Sequence, residues 1–268
     1  MSYKLLVLDI DGTLTNNNKE ITPRTLAALK AVQQRGVKLV LASGRPTYGI
    51  VHLAEELEMQ RYGGYILSYN GGKIIEVNSG EVIFETTLDR ELVPMLYARA
   101  VAKGMQILSY VQKDIVCEDI ENEYVKYESF LTKMSLRKVE SFVSEISFAP
   151  DKCLIVGDPE KVIELQRELN EEYGDRMGAY RSEPFYLEAV PLGIDKAKSL
   201  ERLLEHTGNS VEDMVAVGDG FNDLSMIEYA GLGVAMANAQ SEVREAADYV
   251  TLSNEEDGVA YVVEKFFA

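Results

Sequence analysis

Two carboxylates one residue apart, Asp9 and Asp11, close the apolar run Leu5-Leu6-Val7-Leu8 and are followed at once by Gly12 and Thr13. Strands buried on both faces read as continuous apolar runs, and open parallel sheets bind ligands just past the carboxyl ends of their strands, so this pattern delivers acids to a site. A second pair, Asp219 and Asp223, stands in Gly218-Asp219-Gly220-Phe221-Asn222-Asp223, directly after the apolar stretch Met214 to Val217. Ser43 follows another such stretch, Val37 to Leu41, and Lys196 stands beside Asp195, a helix-capping residue type. Set against Lys196 and Arg45, four carboxylates would repel a phosphate dianion. A divalent cation removes that difficulty, and a donor set of carboxylates, waters and substrate phosphate suits Mg2+.

Each residue has an ordinary structural reading as well. Asp and Gly favour turns, Ser43 alone reads as a cap, Lys196 as a solvated first-turn lysine, and Asp223 as an acid stabilised by a helix dipole. Only their ordered conjunction points to chemistry.

The elements around them alternate. Thr22 and Pro23 open a helix carrying Leu26, Leu29 and Val32, which Gly36 ends; the strand over Val37 to Leu41 and a helix through Leu53 and Leu57 follow. Strand-helix-strand order predicts a parallel sheet with right-handed crossovers. Tyr65 to Ser68 reads as a third strand, and Asn70-Gly71-Gly72 as the turn into a hairpin over Lys73 to Val77 and Glu81 to Glu85. From Asp89 the style changes to helices and strand pairs, including polar helices over Tyr124 to Leu131 and Arg137 to Ser144 and a strand over Tyr186 to Val190. After Pro191 the parallel style returns, with a helix capped by Asp195, a helix through Leu224 and Ile227, and a last helix capped by Ser241 between strands Gly233 to Met236 and Tyr249 to Leu252. The expected fold is therefore α/β, a doubly wound, Rossmann-like parallel-sheet core of residues 1–81 and 187–268 with an inserted α+β cap domain of residues 82–186.

A net charge of -17 argues against binding a nucleic-acid backbone, which needs Lys and Arg to neutralise phosphates. The apolar run after Met1-Ser2-Tyr3-Lys4 is too short for a signal-peptide core, and no stretch approaches a membrane span, so a cytoplasmic protein without membrane partners is expected. Cys117 and Cys153 match no metal-ligand spacing and read as reduced thiols filling core space; His52 and His206 likewise have no metal-type spacing. The chain is expected to be a monomer or a weak homo-oligomer.

Taken in order, Asp9-Ile10-Asp11-Gly12-Thr13, Ala42-Ser43-Gly44-Arg45, Gly193-Ile194-Asp195-Lys196 and Gly218-Asp219-Gly220-Phe221-Asn222-Asp223 resemble the haloacid dehalogenase-like superfamily of phosphohydrolases. The long insert between the Ser43 and Lys196 segments is most similar to that of the Cof-like hydrolases, which carry a mobile cap over a doubly wound core. Ala197 departs from the glycine that often follows the lysine in that group. The resemblance implies that Asp9 is the nucleophile and forms an aspartyl-phosphate, and that Asp11 protonates the leaving alkoxide and then deprotonates water. It implies Mg2+ held by the side chains of Asp9 and Asp219 and the backbone carbonyl of Asp11, with Asp223 holding either metal-bound waters or Lys196. Ser43, Gly44, Arg45, Lys196 and Asn222 would serve the phosphate, and Asn70, at the turn after the third strand, would meet the leaving group or simply form that turn. The resemblance also implies a small phosphorylated metabolite as partner, with substrate choice in the insert, where Tyr180 and Arg181 are plausible contacts.

The alternatives are a sugar phosphomutase, a carbon-halogen hydrolase and a phospho-receiver or regulatory module. Asp11 and Asp223 argue against halide chemistry, which needs no acid for the leaving group. Asp11 beside Asp9 also argues against a receiver, because it supplies a base that destroys the signal, and a switch has no need of so long an insert.

Overall fold

The computed structural model describes residues 3–267 and divides into two compact units, residues 1–84 with 195–268 and residues 85–194. In the first unit an eight-stranded sheet runs in the order Tyr249–Val250, Leu232–Ala235, Met214–Gly218, Leu5–Leu8, Lys38–Ala42, Gly64–Ser68, Lys73–Glu76, Val82–Glu85. The strands from Tyr249–Val250 through Gly64–Ser68 are parallel to their neighbours, and Lys73–Glu76 pairs antiparallel to Gly64–Ser68.

The central strand shows why the sheet is covered on both faces. Leu6 and Leu8 pack with Leu29, Val32, Ile50, Leu53 and Val262, whereas Leu5 and Val7 pack with Leu200, Leu203, Met226 and Val243. Alternation along one strand thus feeds two cores, the arrangement of a doubly wound α/β domain. Register then gathers the chemistry: Leu8 pairs with both Val217 and Leu41, so Asp9, Gly218 and Ala42 leave the sheet together at its carboxyl edge.

Helix ends follow local chemistry. Thr22 accepts the N–H of Thr25 and Pro23 occupies the first turn of Pro23–Gln34. Asp195 accepts the N–H of Lys198 at the start of Lys196–Thr207, which Gly208 closes in the left-handed region at φ +66.

The second unit is a six-stranded sheet, ordered Gly178–Glu183, Tyr186–Val190, Cys153–Val156, Gln106–Val111, Asp114–Cys117, Ser135–Lys138, with all neighbours antiparallel except the last pair. Helices Val93–Ala102 and Pro159–Tyr173 contribute Leu96, Ala100, Val162, Leu165 and Leu169 to one core with Ile107, Ile155 and Leu187. Both cysteines are buried, and burial pushes the Cys117 thiol up to about 11 and the Cys153 thiol up to about 12, as inert core thiols require.

Three sequence expectations are corrected. The segment expected to be a helix over Arg137 to Ser144 is the strand Ser135–Lys138 and a short helix Phe142–Glu145. Pairing on the open edge of Asp114–Cys117, with Arg137 bonded to Asp114 and Glu145, outweighs a weak helical pattern. The unit boundaries fall at 84/85 and 194/195, not 81/82 and 186/187, because the strand Val82–Glu85 pairs in the first sheet, with all but its last residue in the first unit, and Tyr186–Val190 pairs on both sides within the second. Gln240, not Ser241, is the cap of Ser241–Ala246. A further helix, Gly258–Phe266, packs Val259, Val262 and Val263 into the first core, and the sequence reading had no element there. Among the described residues no helix is long and apolar enough to cross a membrane.

Candidate active site

Asp9 continues the ladder of its strand, its N–H bonded to the carbonyl of Val217 at 3.0 Å, and its side chain is buried just past the sheet edge. The fully buried Lys196 ammonium donates to Asp9 Oδ1 at 2.8 Å, to Asp223 Oδ1 at 2.5 Å and to the carbonyl of Ala42 at 3.0 Å. Three donors thus meet three acceptors, the full capacity of an ammonium. Asp223 Oδ2 accepts the N–H groups of Asp219 and Gly220, each at 2.9 Å. Both oxygens of Asp223 are therefore committed, one to Lys196 and one to the loop that presents Asp219.

Charge in this cluster does not balance. Carboxylate oxygens of Asp9, Asp219 and Asp223 lie within 4.8 Å of one another. Burial pushes the Asp9 carboxyl well above the usual carboxylate range, the charges of Asp223 and Asp219 add to this, and Lys196 only partly opposes it. Burial likewise pushes Asp219 up to about 6, against the hydrogen bond from Thr13 and with the charge of Asp223. Burial alone would lower Lys196, yet Asp223 and Asp9 beside it raise it, so it stays charged. Crowded, oxygen-only and short of positive charge, the cluster fits a hard divalent cation.

Asp11 has the opposite surroundings. Arg45, itself buried, grips it with a fork, Nε to Oδ2 and Nη2 to Oδ1, both 2.8 Å, and Lys19 Nζ reaches Oδ1 at 2.8 Å. Burial would raise this carboxyl, but the hydrogen bonds and charges of Arg45 and Lys19 hold it below the usual range. The guanidinium expected to face phosphate is thus engaged by a carboxylate of the site.

The remaining expected residues frame the same edge. The Ser43 N–H bonds to the carbonyl of Leu67, and its Oγ accepts the N–H of Arg45 at 3.1 Å. Asn70 sits in the left-handed region at φ 55, its N–H bonded to the Ser43 carbonyl and its Oδ1 accepting from Asn222 Nδ2 at 3.0 Å, so it ties the Ser43 loop to the Asp219 loop. Gly44 lies against it: a Cβ there would come 3.0 Å from Asn70 Nδ2. Gly12, at φ +86, is tighter still, since a Cβ there would collide with the Asp219 carboxylate.

Three contributors escaped the sequence reading. Thr13 Oγ1 donates to Asp219 Oδ1 at 2.8 Å, Lys19 reaches Asp11, and Asn238 Nδ2 donates to the Gly12 carbonyl at 2.8 Å. Asn238 had a readable signal, since it follows the strand Leu232–Ala235 at the same carboxyl edge.

Residues 6–263 match the profile of a family described as haloacid dehalogenase-like hydrolase. The chain is 32% identical to "Putative phosphatase YxeH" of Bacillus subtilis over 97% of each protein. It is 29% identical to the Bacillus subtilis 5-amino-6-(5-phospho-D-ribitylamino)uracil phosphatase YcsE, over 98% of this chain and 95% of that protein. Among solved structures, a haloacid dehalogenase-like hydrolase from Bacteroides thetaiotaomicron superposes with a TM-score of 0.98 at 52% identity, covering 99% of this chain and 100% of that one. The subclass IIB sugar phosphatase BT4131 superposes with a TM-score of 0.83 at 28% identity over 98% of each chain.

Proposed function

The chain belongs to the haloacid dehalogenase-like hydrolase family, and from that premise we propose that it is a Mg2+-dependent phosphatase of small phosphomonoesters that works through an aspartyl-phosphate on Asp9. The observation that carries this reading is how two carboxyls at one strand end are sorted by contact: Asp9 lies with Asp219 and Asp223, their oxygens within 4.8 Å of one another, on the Lys196 ammonium, and Asp11 lies on Arg45 and Lys19. A cation among the first group would favour the ionised form of Asp9 needed for attack, while the Asp11 carboxyl stays outside that group.

Asp9 and Asp219, with the backbone carbonyl of Asp11, would hold the metal, while Asp223 fixes Lys196 and the Asp219 loop. When bound, the cation would offset the repulsion among these carboxylates and that of an incoming phosphate dianion. The Asp9 carboxylate attacks phosphorus, the bond from phosphorus to the leaving oxygen breaks, and Asp11, having first taken up a proton against the pull of Arg45 and Lys19, supplies that oxygen with it. Water then attacks the phosphoryl group, Asp11 takes the water's proton, the bond to Asp9 breaks, and inorganic phosphate leaves. Lys196 keeps Asp9 oriented, and Ser43, whose Oγ already accepts from Arg45, offers its own O–H to a phosphate oxygen. Sugar phosphates are the favoured substrate class, because BT4131 is named as a sugar phosphatase and Asn70 with Asn222 offers amide donors and acceptors suited to hydroxyls.

The test is phosphate release across sugar phosphates, nucleotides and cofactor phosphates, with isomer formation assayed in parallel. Release from at least one sugar phosphate, stopped by EDTA and restored by Mg2+, is expected; full turnover after metal removal would contradict the charge argument, and isomer formation without release would favour a mutase.

Stability should report the same charge deficit. Asp219, about 6 in the folded chain against an ordinary 3.8, binds more protons folded than unfolded, so its ionisation costs stability as pH rises through that interval. Below it, protons compete with the metal. The rise in melting temperature produced by Mg2+ is therefore expected to be large at pH 7.5 and to shrink as pH falls through about 6. A shift as large at pH 5 as at pH 7.5 would show that these carboxyls are not the metal's ligands.

A further inference from the structure

Lys19 lies in the loop between the Leu5–Leu8 strand and the Pro23–Gln34 helix. Its backbone is held in the left-handed region at φ 63, unusual for a residue with a side chain. The loop is tied down on both sides of it. Asn16 Oδ1 accepts the N–H groups of Asn18 and Glu20 at 3.0 Å, the Asn16 carbonyl accepts the N–H of Lys19 at 2.9 Å, and the Asn16 N–H bonds to the Glu20 carbonyl at 3.0 Å. Thr15 donates its hydroxyl to the Ile10 carbonyl at 2.9 Å, and its own carbonyl accepts Asn254 Nδ2 at 3.1 Å. The strained residue in this braced loop points its ammonium at one oxygen, Asp11 Oδ1.

An ionised carboxylate offers roughly four acceptor positions, two on each oxygen. Among the described residues, Oδ1 accepts from both Arg45 Nη2 and Lys19 Nζ, whereas Oδ2 accepts from Arg45 Nε alone. Arg45 sets the plane of the carboxylate through its fork, but a fork alone leaves one position on each oxygen. Lys19 fills the position on Oδ1. We infer that Lys19 is a positioning residue for the proton-transfer step, acting with Arg45 to leave Asp11 Oδ2 as the oxygen that gives and takes the proton. This rests on the phosphatase reading and goes beyond it by naming the oxygen and the residue that selects it. Stability does not account for the contact: the Lys19 and Asp11 side chains are 30% and 38% exposed, and ion pairs at such exposure contribute little to folding.

The experiment is a double-mutant cycle in the full chain, using p-nitrophenyl phosphate with Mg2+ and following both kcat and KM for the parent, Lys19→Met, Lys19→Arg, Asp11→Asn and the Lys19→Met/Asp11→Asn pair. The expected result is a fall in kcat of about 10- to 100-fold in Lys19→Met with KM changed less than about twofold, the effect of misplacing a catalytic group by a fraction of an ångström to an ångström. Lys19→Arg, which keeps a cationic donor, should recover most of that loss. The paired variant should be no slower than Asp11→Asn, because Lys19 acts only through Asp11. Losses that multiply in the pair, a KM effect with kcat unchanged, or full activity in Lys19→Met would each overturn the inference. Failure of the underlying phosphatase reading is separately visible, as turnover that survives Asp9→Asn.

Discussion

Asp9→Asn is expected to lower phosphate release by at least about 10⁴-fold while leaving the fold intact, the scale of loss that follows removal of a covalent nucleophile. An amide nitrogen or oxygen does not replace a carboxylate at phosphorus, and no acyl phosphate can form on it. The substitution is otherwise mild. Asn has nearly the same shape, its carbonyl oxygen can still accept from Lys196, and the strand ladder through the Asp9 N–H is untouched. The raised Asp9 carboxyl also gives the variant a signature in stability. A carboxyl whose folded value lies above its ordinary one weakens the fold when ionised, so removing that charge at pH 7 should leave the melting temperature of the metal-free protein unchanged or higher. Measured turnover close to the parent's in the purified variant would sink the mechanism, and loss of activity together with a collapse in melting temperature would point to a structural role instead.

Asp11→Asn is the second large effect and should differ in kind. Loss of the group that gives and takes a proton is expected to reduce kcat by about 10²- to 10⁴-fold. With p-nitrophenyl phosphate, whose leaving group needs little protonation, the first half of the reaction should survive better than the second. Rapid mixing should therefore show a burst approaching one p-nitrophenol per chain, followed by slow turnover as phospho-Asp9 waits for water to be activated. A raised KM with kcat unchanged would assign Asp11 to binding alone. Stability should move the opposite way from Asp9→Asn. Burial opposes ionisation of Asp11, but Arg45 and Lys19 more than overcome it, so this carboxylate supports the fold above its lowered range and loses that support as pH falls through it. The substitution leaves the buried guanidinium a single amide oxygen where it had a two-oxygen fork, at a cost of about 1–3 kcal/mol.

The two aspartates show how one strand end sorts like groups. Separated only by Ile10, whose side chain enters the core, they face different partners: Asp9 meets Lys196 and a cluster of acids, and Asp11 meets Arg45 and Lys19. Their division of labour follows from those partners more than from the acids themselves.

How much of this was legible beforehand depended on the range of the interactions. Local rules were enough for the alternation that made the α/β core, for the cap Thr22 with Pro23, and for Asp195 at the start of the Lys196 helix, because capping and burial periodicity act within a turn or a strand. Acids and a lysine next to apolar runs were likewise enough to nominate Asp9, Asp11, Lys196, Asp219 and Asp223. Ser135–Lys138 was unreadable as a strand because its stability comes from pairing with Asp114–Cys117, not from its own weak pattern. The destinations of the charged groups were unreadable for the same reason. Arg45, expected at phosphate, lies on Asp11, and Lys19, for which no role is expected, reaches the same carboxylate; Asp223 is the exception, since it holds Lys196, one of the two roles expected of it, and two backbone N–H groups besides. Sequence by itself determined which residues arrive at the sheet edge, since strand ends and register follow from hydrophobic patterning. Only the tertiary structure decided which of them touch, because an ion pair or a fork depends on loop paths and side-chain directions set by packing across the whole unit.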